Sequence, residues 1–330
     1  MARRYPPDSS AFVSVALATD VHPHVHARLE SGGRLALVGK ETADRLGEMR
    51  KKCRVDNLLL LARLETALDL LLDAGIVPVA LKGVDVLHRL PVKFDERTLD
   101  DVDLLVRPRE FSRALQVLEA AGWRGPEEPE RTHWQRSSFE MPLMSPGPVG
   151  VSFEIHWGLA QERRYRLDID QVFGRAVPLQ VAGRTILRLE DHDATAHLLL
   201  HHLQHYFDRR LKWALDLGHI VRQPGFRWES VASRLDSWGG RAPAGMALLH
   251  LQKLFPDLIS PQATRVLPTA RWRRLATYPL LSSHPLDLFR WTRRRWVQLY
   301  LAATLLERPS ALPGYLMHRA VRDRRGDPPA

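Results

Sequence analysis

Leucines 58, 61, 64, 68, 71 and 72 recur at spacings of three and four. That period puts them on one face and predicts a helix over residues 55–74, with Gly75 as its stop. The apolar, β-branched run 77–81 predicts a buried strand, with Lys82 and Gly83 directly after it. A short helix is expected over 84–90, ended by Pro91. Residues 102–106 predict a second strand, and Pro108 opens a helix that runs to 121, with Gly122 as its stop. Residues 126–130 read as a polar loop. Over 149–157 the pattern alternates: Phe153, Ile155 and Trp157 share one face of a strand, and Glu154 and His156 share the other. Residues 177–189 predict a hairpin turning at Gly183.

The first 50 residues read as helical with weak patterning. After Glu190 the strand-like segments stop. Helical patterns cover 192–206, 210–221, 228–238 and 244–254, with further helices near 285–306 and over 311–323. The expected organisation is an N-terminal helical segment (1–54), a small α/β domain (55–190), a helical domain (191–323) and a disordered tail (324–330).

Composition narrows the class. With 330 residues, 45% hydrophobic and 26% charged, the chain is an ordinary globular protein with a sizeable core. A lone cysteine, Cys53, excludes a disulfide within the chain and fits a reducing compartment. No apolar run approaches the ~20 residues that span a bilayer. The short stretch 11–18 is preceded by Pro6, Pro7 and Asp8, unlike a signal sequence. The expectation is a cytoplasmic protein with no membrane insertion. The net charge of +10 favours anionic partners, and arginines crowd residues 271–295 and 319–325. Those arginines read either as a nucleic-acid surface or as solvated helix faces.

Candidate chemistry centres on Asp101-Val102-Asp103. In a strand, residues i and i+2 point the same way. Two carboxylates on one face of an apolar strand are costly unless something compensates them. A divalent cation would, and hard carboxylate oxygens suit magnesium, or manganese in its place. Glu154 adds a third carboxylate from another strand. Three such groups on adjacent strands can hold two metals ~3.5–4 Å apart and align an in-line displacement. Lys82 and Gly83, at a strand-to-helix junction, offer a point charge and close backbone approach to phosphates. Each piece also has a bland reading: a solvated Asp-x-Asp turn, an edge-strand glutamate, an ordinary strand end.

Taken in order, Leu81-Lys82-Gly83, Arg97-x-x-x-Asp101-Val102-Asp103-Leu104-Leu105-Val106 and Phe153-Glu154-Ile155-His156-Trp157 resemble the bacterial family of uncharacterised nucleotidyltransferases, a distant branch of the polymerase-β superfamily. The likeness continues through 199–205 and 210–216. It implies an α/β (α+β) nucleotidyltransferase core, a mixed sheet flanked by helices, followed by a mainly helical C-terminal domain. It implies Asp101 and Asp103 as ligands of both metals, and Glu154 as third ligand and candidate base. Lys82 and Gly83 stand where the superfamily usually has Gly-Gly or Gly-Ser. Arg97 matches an arginine of the branch, to pair with Asp101 or to touch phosphate.

His197, His201 and His205 repeat at i, i+4 and i+8 and share a helix face. They read as zinc ligands, as packed histidines, or, since the resemblance sets this helix against the cleft, as substrate contacts, His201 or His205 foremost. Lys212 is expected either to pair with Asp216 one turn on or to reach a nucleotide phosphate. His156 is expected as a neighbour of the metal ligands. The expected reaction is magnesium-dependent transfer of a nucleoside monophosphate from a triphosphate, foremost ATP, to a hydroxyl of a small molecule, peptide or protein. The alternatives are a nucleic-acid-binding or nucleic-acid-modifying protein using the basic helices, and a catalytically inactive partner module.

Overall fold

The computed structural model describes residues 10–90, 92–161, 164–205, 210–281 and 294–305. In chain order its elements are α1 (Ser10–Ala18), α2 (His22–Ser31), α3 (Lys40–Asp73), β1 (Val79–Ala80), α4 (Lys82–Arg89), β2 (Asp101–Leu105), α5 (Phe111–Ala120), α6 (Glu130–Ser137), β3 (Glu140–Met144) and β4 (Ser152–His156). There follow α7 (Ile169–Arg175), β5 (Val177–Val181), β6 (Arg184–Arg188), α8 (Asp191–Gln204), α9 (Lys212–Ile220), α10 (Trp228–Trp238), α11 (Arg241–Leu254), α12 (Pro261–Val266), α13 (Arg271–Leu281) and α14 (Arg295–Leu305). They group into two compact units, and the chain crosses between them more than once. Residues 1–157, 173–189 and 210–216 belong to one unit, and 158–172, 190–209 and 217–330 to the other.

The first unit is built on a six-stranded mixed sheet ordered β3-β4-β2-β1-β6-β5. β2 and β4 run parallel, as do β1 and β6; the other neighbours are antiparallel. Alternation sorts the side chains. Val102, Leu104, Phe153, Ile155, Met141 and Leu143 join a buried core with leucines of α3 and α5. The intervening residues of β2, β3 and β4 face the other way.

The leucine pattern extends into a helix longer than predicted, α3, whose Leu60, Leu64, Leu68 and Leu71 are buried. Gly75 ends it at φ 73°, where the amides of Gly75 and Ile76 cap the carbonyls of Leu72 and Leu71. Asn57 of α3 is buried and ties down the following loop: its amide donates to the carbonyls of Phe94 and Arg97 and its oxygen accepts from the Leu99 amide. That loop leads straight into β2.

The predicted hairpin is present, with Ala182 and Gly183 both at positive φ in the turn. Before β5, three elements were not anticipated. α6 lies where only a polar loop was read. β3 contains Pro142, which lowers its strand signal, and it survives because it is an edge strand needing no donor there. α7 is short and precedes β5.

In the second unit α8 is buried nearly all round, from Asp193 to Leu203, with α10 and α11 packed on it. Its N-terminus is capped by Glu190, which accepts from the amides of His192 and Asp193. Inside, Asp193 pairs with Arg234 at 3.0 Å, and His202 meets His250 at 3.0 Å. α10 and α11 match their expected stretches closely, while α12 and α13 were not foreseen. Of the predicted helix near 285–306, α14 covers 295–305, and residues 285–293 lie outside the described residues. The expected helix over 311–323, the tail, and the end of the first histidine helix at Tyr206 lie outside the described residues, as does Pro91. No helix among the described residues is long and apolar enough to cross a membrane.

Candidate metal and phosphate site

The parallel pairing of β2 and β4 puts Asp103 directly beside Glu154. The antiparallel pairing of β4 and β3 puts His156 beside Glu140. Because alternate residues share a face, Asp101, Asp103, Glu154, His156 and Glu140 emerge together on the side of the sheet away from the core. Lys82 reaches the same place from the start of α4, immediately after β1.

The contacts are close. Lys82 Nζ lies 2.6 Å from Asp103 Oδ1 and 3.6 Å from Glu154 Oε2. His156 Nε2 lies 3.0 Å from the same Asp103 oxygen and 3.6 Å from Glu154 Oε2, and its Nδ1 is 3.3 Å from Glu140 Oε2. Asp103 is 2% exposed and His156 is fully buried.

Burial here penalises every charge, and the neighbours decide what remains. Asp103 resists burial because Lys82 and His156 hold its carboxyl well below the usual range. Lys82 is raised despite burial, by Asp103 and Glu154. His156 is likewise raised against burial, to about 9, by Asp103, Glu154 and Glu140. Asp101 goes the other way: burial first, then the Asp103 charge, pushes it up to about 7. Burial also lifts Glu140 to about 7, against His156, with Glu154 adding to the rise. Four carboxyls thus share two cations, and two of them carry values raised first by burial and then by the neighbouring negative charge.

A divalent cation fits that deficit. Asp103, Glu154 and His156 each offer a ligand atom, all within 4.8 Å of one another, and Asp101 lies two residues along on the same face. Carboxylate oxygens and an imidazole are both donor types that divalent metal ions take.

The backbone at Lys82 is unusual. Its φ of 45° lies in the left-handed region that glycine adopts freely and other residues enter at a cost of roughly 1 kcal/mol. The chain carries lysine there, at the position where the related pattern has a glycine. Gly83 is required by packing: a Cβ on it would stand 2.4 Å from Leu99 Cδ2 and 2.5 Å from Arg97 Nη1.

Arg97 does not pair with Asp101. It is buried and forks onto Asp216, with Nη2 2.7 Å and Nε 2.9 Å from its carboxylate. Lys212 does not pair with Asp216 either. Its ammonium is 2.6 Å from Asp100 and 3.7 Å from Asp20, beside the Thr98 hydroxyl. Sequence spacing could not reveal this, because both partners lie more than a hundred residues away along the chain. His201 belongs to the second unit, where its ring lies in the row His197-His201-His205, tilted against the first at a centroid distance of 5.8 Å and edge-on to the last at 4.3 Å.

Glu140 is the member of the cluster that sequence reasoning missed. The signal was there: Phe139, Met141 and Leu143 alternate with Glu140 and Pro142, but the proline argued against a strand.

Carboxylates gathered on one face can hold metal ions of the kind that act on phosphoryl groups. Residues 5–256 match the model of the family described as uncharacterised nucleotidyltransferase, and the chain belongs to that family. No curated protein matches the sequence. Among solved structures, it is similar to an antigenic nucleotidyltransferase-like protein from Paracoccidioides brasiliensis, at 15% identity over 68% of this chain and 95% of that one, with a TM-score of 0.40.

Proposed function

We propose that the protein transfers a nucleoside monophosphate from a nucleoside triphosphate, ATP foremost, to a hydroxyl on a small molecule, peptide or protein. The observation that carries this reading is the in-register pair Asp103–Glu154, flanked by Asp101 and faced by Lys82. Family membership supplies the reaction class.

Asp101, Asp103 and Glu154 would hold magnesium, or manganese, with His156 as a neighbour of the ligands. A divalent cation there supplies charge to the triphosphate oxygens as pyrophosphate leaves. Glu154 takes the proton of the acceptor hydroxyl in this reading. The acceptor oxygen forms its bond to the α-phosphorus as the bond to pyrophosphate breaks. Lys82 exchanges its contact with Asp103 for a triphosphate oxygen. Gly83 keeps the start of α4 close to the phosphates, with Arg97 and Leu99 packed where a side chain would be. Arg97 and Lys212 act as supports, since Asp216 and Asp100 already hold their charges.

The test is thermal unfolding with each of the four nucleoside triphosphates, with and without magnesium. Stabilisation by ATP that needs magnesium is expected, reaching about 2.7 kcal/mol at a hundredfold excess over Kd. It should disappear in Asp103→Asn and in Glu154→Gln. Stabilisation retained in both variants, or absent for every triphosphate, overturns the reading and leaves a non-catalytic member of the family.

A further inference from the structure

The α13–α14 pair has two faces. Inward, Arg273 is buried and its Nε donates to the Thr304 carbonyl, while Val297 and Leu301 are fully covered. Tyr300 of α14 donates its hydroxyl to the Ala276 carbonyl of α13, which brings the outward faces together. Outward, Trp272 is 50% exposed, Tyr278 68% and Trp296 57%, with Leu275 and Tyr300 also in solvent. So many large rings in water on two neighbouring helices mark an interaction surface.

Charge says what kind. Between residues 258 and 305 the sequence has eight arginines, no lysine and a single carboxylate, Asp287. Arg271 and Arg274 are exposed on the same side of α13 as Leu275 and Tyr278, with Trp272 on the flank next to Arg271. Among the described residues, no carboxylate forms an ion pair with either of them. The Arg273 guanidinium lies 4.8 Å from the Trp272 ring centre and backs it from below. A helix lying on a membrane opposes its cationic and apolar faces. Here arginines and rings interleave on one face, as in proteins that hold single strands by stacking bases and neutralising phosphates.

We propose that the outward faces of α13 and α14 bind single-stranded nucleic acid, with Trp272, Tyr278 and Trp296 stacking on bases and Arg271 and Arg274 meeting phosphates. This goes beyond nucleotidyl transfer and stands on different residues, in the unit that lacks the carboxylate site.

The experiment uses the full chain and a short fluorescent oligouridine, followed by anisotropy over a salt series. Binding should weaken with salt, and Arg271→Ser/Arg274→Ser should flatten the logarithmic slope by about 1.4, two single-strand contacts. Trp272→Ala and Trp296→Ala keep the net charge, and each should weaken binding roughly fivefold or more at fixed salt. Thermal unfolding of each variant checks that the fold is intact. Ring variants that bind like the parent mean plain cationic attraction and overturn the proposal. So does capture by vesicles rich in phosphatidylserine without capture of the oligonucleotide, or self-association that hides the rings.

Discussion

Gly83 and Glu140 show how much a single residue decides at this site. Arg97 cannot yield to a Cβ at position 83, because Asp216 locks its guanidinium from two directions. Gly83→Ala should therefore cost about 1–3 kcal/mol through overpacking. A urea midpoint unchanged from the parent would show that Leu99 and Arg97 can move aside. Glu140 acts at one remove. It lies against Nδ1 of the imidazole whose Nε2 meets Asp103 and Glu154. Groups that orient metal ligands in this way are worth roughly 10–100-fold in metal affinity. Glu140→Gln should raise the magnesium needed for half-maximal nucleotide stabilisation by about tenfold; superimposable titrations would remove Glu140 from the site. Asp101, Asp103 and Glu154 could be singled out in the sequence because each interrupts an apolar strand. Glu140 could not, because Pro142 obscured the alternation on its own strand.

At the scale of elements, interior strands and leucine-striped helices were legible, since burial imposes their period. β2, β4 and the hairpin fall within a few residues of expectation. Edge strand β3, polar helix α6 and arginine-rich α13 were not, because none carries a clean apolar stripe. Pairings between distant segments were equally hidden, and the Arg97–Asp216 pair is the clearest case. It ties the loop before β2 to the first turns of α9, with both side chains nearly covered. Removing one partner of a buried pair strands the other charge, at a cost of about 3–5 kcal/mol. Arg97→Met should be destabilised by that much. The double variant Arg97→Met/Asp216→Leu should regain most of the loss, since two apolar groups leave no stranded charge. Equal loss in the single and double variants would mean that the guanidinium matters for its packing on Gly83 rather than for its charge.

Three buried histidines contribute to the pH response in opposite directions, beside Asp101 and Glu140, whose raised carboxyls lose stability as pH climbs toward about 7. His250, in the helical unit, is held well below its ordinary value of 6.5 by burial, then by His202 and Lys253. His22, in the sheet unit, is lowered by burial and by Lys212, against Asp20. As pH falls through 6.5 the unfolded chain takes up protons at these two positions while the folded chain resists, so stability is lost on the acid side. His156 has the reverse sign. Its value is raised to about 9, so its contribution is complete below 6.5 and is lost as pH climbs toward 9. The summed histidine contribution without added metal should therefore be greatest near neutrality and decline on both sides. Urea midpoints measured from about pH 5 to about pH 9 test this, and the variants assign the limbs. His250→Leu should flatten the acid limb and leave the alkaline one. His156→Asn should flatten the alkaline limb and leave the acid one. A midpoint that rises without a break across the range would mean that His156 is not held protonated between Asp103 and Glu140, and the charge balance drawn for the carboxylate face would then be wrong.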